Sequence, residues 1–566
     1  MNSSVFDIAI CGAGLAGSTL ARQLKLQIPD LSIVVIDRLV SPLPEAIFKV
    51  GESTVYLGAY YLSAILQLTN YFEEHHLPKL GLRYFFGDPR GQFQERPELG
   101  LSDFAPTFKS YQIDRGKLEQ DLRVFNTQMG IQVLENCAVK DIKLVEKSQE
   151  LHQIIYTQGK EYKTCQAKWV IDAMGRRRFL QRKLGLAKPN NPNFNAVWFR
   201  VKGRIDVADL VSETEVLWHD RVPKRMRYYS TNHLCGKGYW VWTIPLSSNY
   251  TSIGIVAKEE AQPFREFHTY ELAYQWLEKN EPVLAFHLKD KPPADFKKMP
   301  KYSYSSTQVF SENRWACVGE AGVFPDPFFS PGSDLIGYCN SLVTELIKLD
   351  FQDKLSQRQV DEANNFFLKL SENTTSSIHG IYSYLDNEGI FTTRFIWDVV
   401  TAIYNISRMI FHPLLVSSEE RARVWKYSEQ ISQLTNRMEQ LFLDWSTKSL
   451  GRITFEFIDY WNIPIFEEIR TQSFKTNKTD REVIEDGWLI LQRAEEVVQA
   501  IFLLALQDTM PDKLTQFPKP IWLNSWAISL DIEKWEQEGL FQPKSQPRDI
   551  TWAIELFQKV FSISRE

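Results

Sequence analysis

The start of the chain switches between two hydrophobic patterns. Residues 5–11 form a short apolar run, 18–26 carry helical spacing, and 31–36 form a second apolar run ending at Asp37. Short runs without polar alternation predict parallel strands buried on both faces. Two later segments read the same way: 168–172, ahead of Gly175, and 314–318, ahead of Gly319-Glu320-Ala321-Gly322. Residues 111–122 predict the start of a helix carrying Arg115. Trp240-Val241-Trp242-Thr243-Ile244-Pro245 repeats with period two, which puts Trp240, Trp242 and Ile244 on one face of a strand. The interior strand of an ordinary core has the same alternation. Beyond about residue 350 glycine thins out, and 361–370, 416–443 and 480–508 predict long amphipathic helices, with 511–520 and 542–548 as loops.

Chemistry enters at the first turn. Gly12-Ala13-Gly14-Leu15-Ala16-Gly17 joins strand to helix inside a complete βαβ unit, with Asp37 twenty residues after Gly17. Gly12 permits the tight turn, Gly14 lets a pyrophosphate reach the backbone, and Gly17 lets the helix pack on the strand. The phosphates then meet the positive end of the helix, and Asp37 accepts from ribose hydroxyls. This half of the chain binds a dinucleotide.

Composition narrows the class further. The 566 residues carry 65 Lys+Arg against 70 Asp+Glu, a net charge of −5, which argues against a generally basic nucleic-acid surface. Six cysteines without a C-x-x-C pair exclude a thiolate zinc site and suit a reducing cytosol. The nine histidines show no ligand spacing, so no protein-bound metal is expected. The most apolar stretches, 395–416 and 488–506, are interrupted by charged residues and predict no transmembrane segment. Aromatic residues reach 13%, and nine of the 16 Trp lie beyond residue 390, where core packing and the lining of a flat substrate pocket both account for them.

Together, in this order, the segments around Gly12–Asp37, Arg115, Asp172–Gly175 and Gly319–Glu320, followed by Asp326-Pro327, resemble the flavoprotein fold shared by aromatic hydroxylases and flavin-dependent halogenases. The resemblance implies FAD. It also implies an α/β FAD-binding domain of Rossmann-like, glutathione-reductase type over 1–350, with an inserted β-sheet at about 180–310. A mainly helical C-terminal domain follows over 351–566. In that fold the Gly-Asp or Gly-Glu turn reaches the ribityl chain, here through the longer Glu320.

Three motifs resemble the halogenase branch more closely. Trp240–Pro245 matches its W-x-W-x-I-P signature, which implies a flavin-side wall from Trp240 and Trp242. Gly51-Glu52-Ser53-Thr54 is similar to the segment covering the flavin, and its alternative is a helix start capped by Ser53 or Thr54. Lys79-Leu-Gly-Leu-Arg-Tyr84 lies 27 residues after Glu52 and resembles the strand carrying the family's essential lysine. That lysine receives hypohalous acid formed at the flavin and presents the halogen to substrate. Most lysines are solvated surface groups, and Lys79 is assigned by its position and flanks. The resemblance thus implies Lys79 and Glu52 as catalytic residues. It places the halide at the turn Ser330-Pro331-Gly332-Ser333, where Pro331 has no N–H to offer and Asp334 adds a negative charge. With one dinucleotide fingerprint in the chain, reduced FAD is expected from a separate flavin reductase. The expected substrate is an electron-rich aromatic or enol compound, small or carrier-protein-bound. An FAD-dependent monooxygenase or dehydrogenase of the same fold, without halide chemistry, is the alternative. His75-His76, the Arg176–Arg178 run and the apolar stretch 395–411 are weaker candidates for a proton shuttle, a phosphate contact and a carrier-protein face.

Overall fold

The computed structural model describes residues 4–43, 51–104, 109–146, 151–403, 418–473, 475, 478–517 and 521–564. Val50, the residue before the Gly51–Thr54 motif, and the parts of the expected elements that fall in 404–417 and 518–520 lie outside them.

Two eight-stranded sheets organise the chain. In the first, Trp315–Cys317, Glu161–Asp172, Ser4–Cys11, Ile33–Ile36 and Gln132–Leu134 lie side by side and parallel. Cys11 pairs with both Asp172 and Ile36, and Asp172 pairs with Cys317, so four strands end level with one another. Their carboxyl ends deliver Gly12, Asp37, Gly175 and Gly319 to one edge, where open parallel sheets bind their ligands. The expected apolar runs are these strands, and Ile8, Ile10, Val35 and Ile171 are buried.

The second sheet runs Pro293–Met299, Phe194–Lys202, Tyr250–Lys258, Tyr239–Pro245, Thr231–Gly236, Leu82–Phe85, Glu98–Gly100 and Phe457–Asp459. Its members come from beyond 180–310 on both sides: two short strands precede the expected insertion and one belongs to the helical part. The alternation in Tyr239–Pro245 sorts as read from the sequence. Trp240, Trp242 and Ile244 face a core shared with the C-terminal helices, while Tyr239 and Val241 face a smaller core built around Trp276 and Leu277.

The C-terminal helices include Gln357–Ile381, Glu388–Asp398, Ser418–Lys448 and Asp480–Thr509. Their tryptophans mostly pack the core: Trp397 and Trp445 are fully buried, and Trp445 Nε1 donates to Asp508 at 2.6 Å. Among the described residues, no helix is long and apolar enough to cross a membrane, and no cluster of side chains has metal-binding geometry.

Candidate active site

The dinucleotide end is built from backbone. Gly17 packs so tightly against the turn that a Cβ there would lie 2.0 Å from the Gly12 carbonyl oxygen. Ala13 N–H donates to Asp37 Oδ2 at 2.7 Å, and Arg123 pairs with Asp37 Oδ1 at 3.1 Å. Asp37 therefore fixes the glycine turn from the neighbouring strand. Helix Leu15–Gln27 has Gly14 as its N-cap and no acid in its first turn. Its leading N–H groups meet no competing carboxylate there, which fits a bound pyrophosphate. Arg115 opens helix Arg115–Gln128, capped by Asp114, and reaches toward Gly51 O at 3.4 Å and Glu119 at 2.6 Å. These are the residues that would hold FAD.

Asp172, Asp326, Trp240 and Trp242, all expected contact residues, turn inward. Asp172 is buried and accepts from Met174 N and Leu180 N, so it secures the Gly175 turn; burial raises its carboxyl to about 6. Glu320 lies in the turn Gly319–Ala321, where its carbonyl accepts from Tyr304 Oη at 2.6 Å. Asp326, next to Pro327, accepts from Tyr302 Oη at 2.5 Å, Tyr382 Oη at 3.1 Å and Phe328 N at 2.8 Å. Desolvation lifts Asp326 to about 7. Trp240 donates to Tyr382 Oη at 2.8 Å and meets Phe328 at 5.1 Å between ring centroids, while Trp242 donates to Ser252 Oγ at 3.1 Å. Both indoles are buried. The tryptophan face is thus a closed aromatic layer, joined through Tyr382 to the helical part, and not an open wall.

Lys79 is where the halogenase-like motifs meet. The segment does not run as one strand. Leu77–Lys79 pairs with Ser110–Gln112, the chain turns at Gly81, and Leu82–Phe85 enters the large sheet. Lys79 is left at the junction, 4% exposed, with Nζ donating to Ser53 Oγ and to the Thr54 carbonyl, each at 2.7 Å. Ser53 Oγ also lies 2.8 Å from Thr231 Oγ1 and accepts from Ser330 Oγ at 3.1 Å. Neither Ser53 nor Thr54 caps a helix: Val55 is the N-cap of Tyr56–Tyr60, and Thr54 Oγ1 donates to Tyr111 O. Burial draws the Lys79 amine down to about 7, opposed by the charge of Asp334.

Glu52 does not face Lys79. Its carboxylate is buried against Arg200, with Nε at 2.9 Å and Nη2 at 2.6 Å, and Arg200 also pairs with Asp295. Burial raises Glu52 in spite of that cation. Asp334, which the sequence offered only as an unwelcome charge, accepts from Gly58 N at 2.7 Å.

Pro331 occupies the N-cap of helix Gly332–Phe351. An N-cap amide is not needed for the helical ladder, so proline costs the helix nothing there. Gly332 and Ser333 follow as its first residues, and the buried Ser333 Oγ has no hydrogen-bond partner. His76, adjacent to half-buried His75, is buried and accepts from Asp114 N through Nδ1; desolvation holds it neutral, near 3. Arg176 and Arg178 lie over the Tyr304 ring, and Arg177 donates to Val139 O at 2.7 Å.

The family model described as tryptophan halogenase matches residues 86–387, more than half of the chain. The chain belongs to the tryptophan halogenase family. That assignment makes it an FAD-dependent oxidoreductase of the halogenase type. A flavin-dependent halogenase of Dictyostelium discoideum is 28% identical over 432 residues, covering 70% of this chain and 69% of the relative. The 1H-pyrrole-2-carbonyl-(peptidyl-carrier protein) chlorinase of Pseudomonas fluorescens is 27% identical over 346 residues, covering 59% and 73%. In fold, the chain is similar to halogenase PltM solved with phloroglucinol and FAD, at TM-score 0.61 and 15% identity over 87% of this chain and 96% of that one.

Proposed function

We propose that this halogenase uses Lys79 to relay halogen to an electron-rich aromatic or enol carbon. The observation that carries the reading is the burial of Lys79 Nζ against Ser53 and Thr54, the segment expected to cover the flavin. When bound, reduced FAD with oxygen and halide supplies the oxidised halogen. The protein's own part is to hold and shield. Ser53 and the Thr54 carbonyl orient the amine, and Ser330 ties the turn ahead of helix Gly332–Phe351 to the same hydroxyl. The layer of Tyr84, Phe328, Trp240 and Phe391 keeps water from the region behind it. Such segregation directs a diffusible oxidant to one target.

A substrate carried by a peptidyl-carrier protein fits the specificity that the name of the Pseudomonas relative gives, and a free phenol fits the same chemistry. Reduced flavin comes from a separate reductase in this reading, because the chain has one dinucleotide fingerprint. The six cysteines, all free and buried, suit a cytosolic setting.

The test supplies FAD, a flavin reductase, NADH, oxygen and bromide with a panel of phenols, indoles and carrier-bound pyrroles. Mass spectrometry then looks for the bromine isotope doublet. Brominated product supports the reading. Hydroxylated or desaturated product alone, undiminished in Lys79→Ala, transfers the chain to a monooxygenase or dehydrogenase role.

A further inference from the structure

A chain of buried hydroxyls runs from Lys79 to a side-chain amide. Lys79 Nζ donates to Ser53 Oγ at 2.7 Å, and Ser53 Oγ lies 2.8 Å from Thr231 Oγ1. Thr231 Oγ1 accepts from Gln112 Nε2 at 3.0 Å and donates to Gln112 Oε1 at 3.3 Å. All four residues are buried, Gln112 completely. The backbone sets their spacing. Gln112 ends the strand that pairs with Leu77–Lys79 and also bridges to Ser53, while Thr231 N–H donates to Gly81 O at 3.1 Å. Thr231 and Gln112 lie outside the two motifs that mark Lys79 and Ser53.

Counting hydrogens fixes the direction of this chain. A hydroxyl has one hydrogen to give and two lone pairs to accept with. Ser53 Oγ accepts from the Lys79 ammonium and from Ser330 Oγ at 3.1 Å, so both lone pairs are filled and its own hydrogen goes to Thr231. Thr231 Oγ1, accepting from Ser53 and from Gln112 Nε2, passes its hydrogen to Gln112 Oε1. Lys79 therefore meets the oxygen of Ser53 and the Thr54 carbonyl, two acceptors with no hydrogen aimed at its nitrogen. When the ammonium releases one proton to solvent, its other two N–H groups keep these bonds. The nitrogen lone pair then takes the third position, clear of both.

We propose that Thr231 and Gln112 are positioning residues of the relay: by drawing the Ser53 hydrogen away from Lys79, they keep the lone pair of the neutral amine uncapped. The proposal rests on the reading of Lys79 as the relay. In that reading the lone pair attacks the halogen of hypohalous acid. The N–halogen bond forms as the O–halogen bond breaks, and the released hydroxide leaves as water with one N–H proton. Halogen then passes from nitrogen to the substrate carbon, and the proton displaced from that carbon returns to nitrogen. Without Thr231 Oγ1 the Ser53 hydrogen loses its acceptor and turns to the amine, which then has to break a hydrogen bond before it can attack.

The test follows carbamylation of Lys79 by cyanate in the full-length enzyme against pH, read by peptide mass spectrometry. Cyanate attacks the neutral amine, so the midpoint reports protonation and the high-pH plateau rate reports the free lone pair. In Thr231→Val the plateau falls about tenfold, because one hydrogen bond must break first. The midpoint moves to lower pH by about half a unit, because the capped amine is favoured over the ammonium. Gln112→Leu, which removes the acceptor of the Thr231 hydrogen, moves both values the same way, and Thr231→Ser restores them. The kcat of halogenation falls with the plateau while KM holds. These variants leave the charged and titratable neighbours in place: Asp334 on helix Gly332–Phe351, Glu52 paired with Arg200, His76 after helix Thr69–His75, Tyr111 on the paired strand, His233 on the neighbouring strand, and Arg227 paired with Glu98. A merely structural role gives the opposite signature, since a loosened pocket hydrates Lys79 and raises midpoint and plateau together. That signature, unchanged values in both Thr231→Val and Gln112→Leu, or a wild-type amine that never labels, overturns the proposal. The expected labelling in an enzyme that makes no halogenated product at any pH sinks the relay reading and leaves the hold of Thr231 and Gln112 on Lys79 standing.

Discussion

Lys79 Nζ and Ser53 Oγ lie 2.7 Å apart, 26 residues distant in sequence, and bring two motifs into one hydrogen-bonded unit. The serine belongs to the segment expected over the flavin and the lysine to the expected relay. Removing the hydroxyl leaves a buried ammonium with one fewer partner, a loss of about 1–3 kcal/mol for a charged donor. Ser53→Ala is therefore expected to lower halogenation by about tenfold or more while flavin absorbance on reconstitution stays unchanged. Steady-state kinetics beside a flavin titration checks this.

Glu52 and Arg200 give a stability prediction. Arg200→Met leaves the Glu52 and Asp295 carboxylates buried without their cation, a change that costs about 3–5 kcal/mol in comparable buried pairs. The thermal midpoint should fall by several degrees at pH 7. The variant should recover part of that loss at pH 5, where Glu52, raised by burial, can take a proton. Differential scanning fluorimetry at the two pH values decides it.

Asp326 gives a pH prediction of fixed sign. Its folded value, about 7, lies above the unfolded value near 3.9, so the native state binds the extra proton between them. Its contribution to stability is present below about pH 4 and is lost as pH rises toward 7. Asp326→Asn removes that loss, although it also disturbs the bonds to Tyr302 and Tyr382. The difference in thermal midpoint between variant and wild type should move in the variant's favour from pH 5 to pH 8. Parallel curves would rule the assignment out.

Gly17→Ala tests the dinucleotide end. The added methyl carbon would sit 2.0 Å from the Gly12 carbonyl oxygen, which forces helix and turn apart. Flavin affinity should drop by at least about tenfold, equivalent to 1.4 kcal/mol, in a fluorescence titration.

What could be read from the chain follows the range of the interactions. The glycine turn, Asp37, the parallel strands and the tryptophan alternation are written in neighbouring residues. Lys79 could be picked out because its flanks resemble a known strand, although the break at Gly81 could not. The partners were hidden by distance along the chain: Arg200 stands 148 residues from Glu52, and Tyr382 stands 142 residues from Trp240. Burial decides the rest. Asp172, Asp326 and Glu52 look like free acids in a motif, yet each is spent on amides, hydroxyls or a guanidinium that only the packed chain brings to it. Pro331 takes the N-cap of helix Gly332–Phe351, a place that its neighbours in sequence do not announce.

The relay role of Lys79 is tested most directly by one comparison. Wild type and Lys79→Ala are each given reduced FAD, oxygen, bromide and an accepted aromatic substrate, and brominated product is quantified by mass spectrometry with oxygen uptake recorded alongside. Brominated product should fall about 100-fold or more in Lys79→Ala, with flavin binding and oxygen uptake retained. Equal bromination by the two proteins would contradict it.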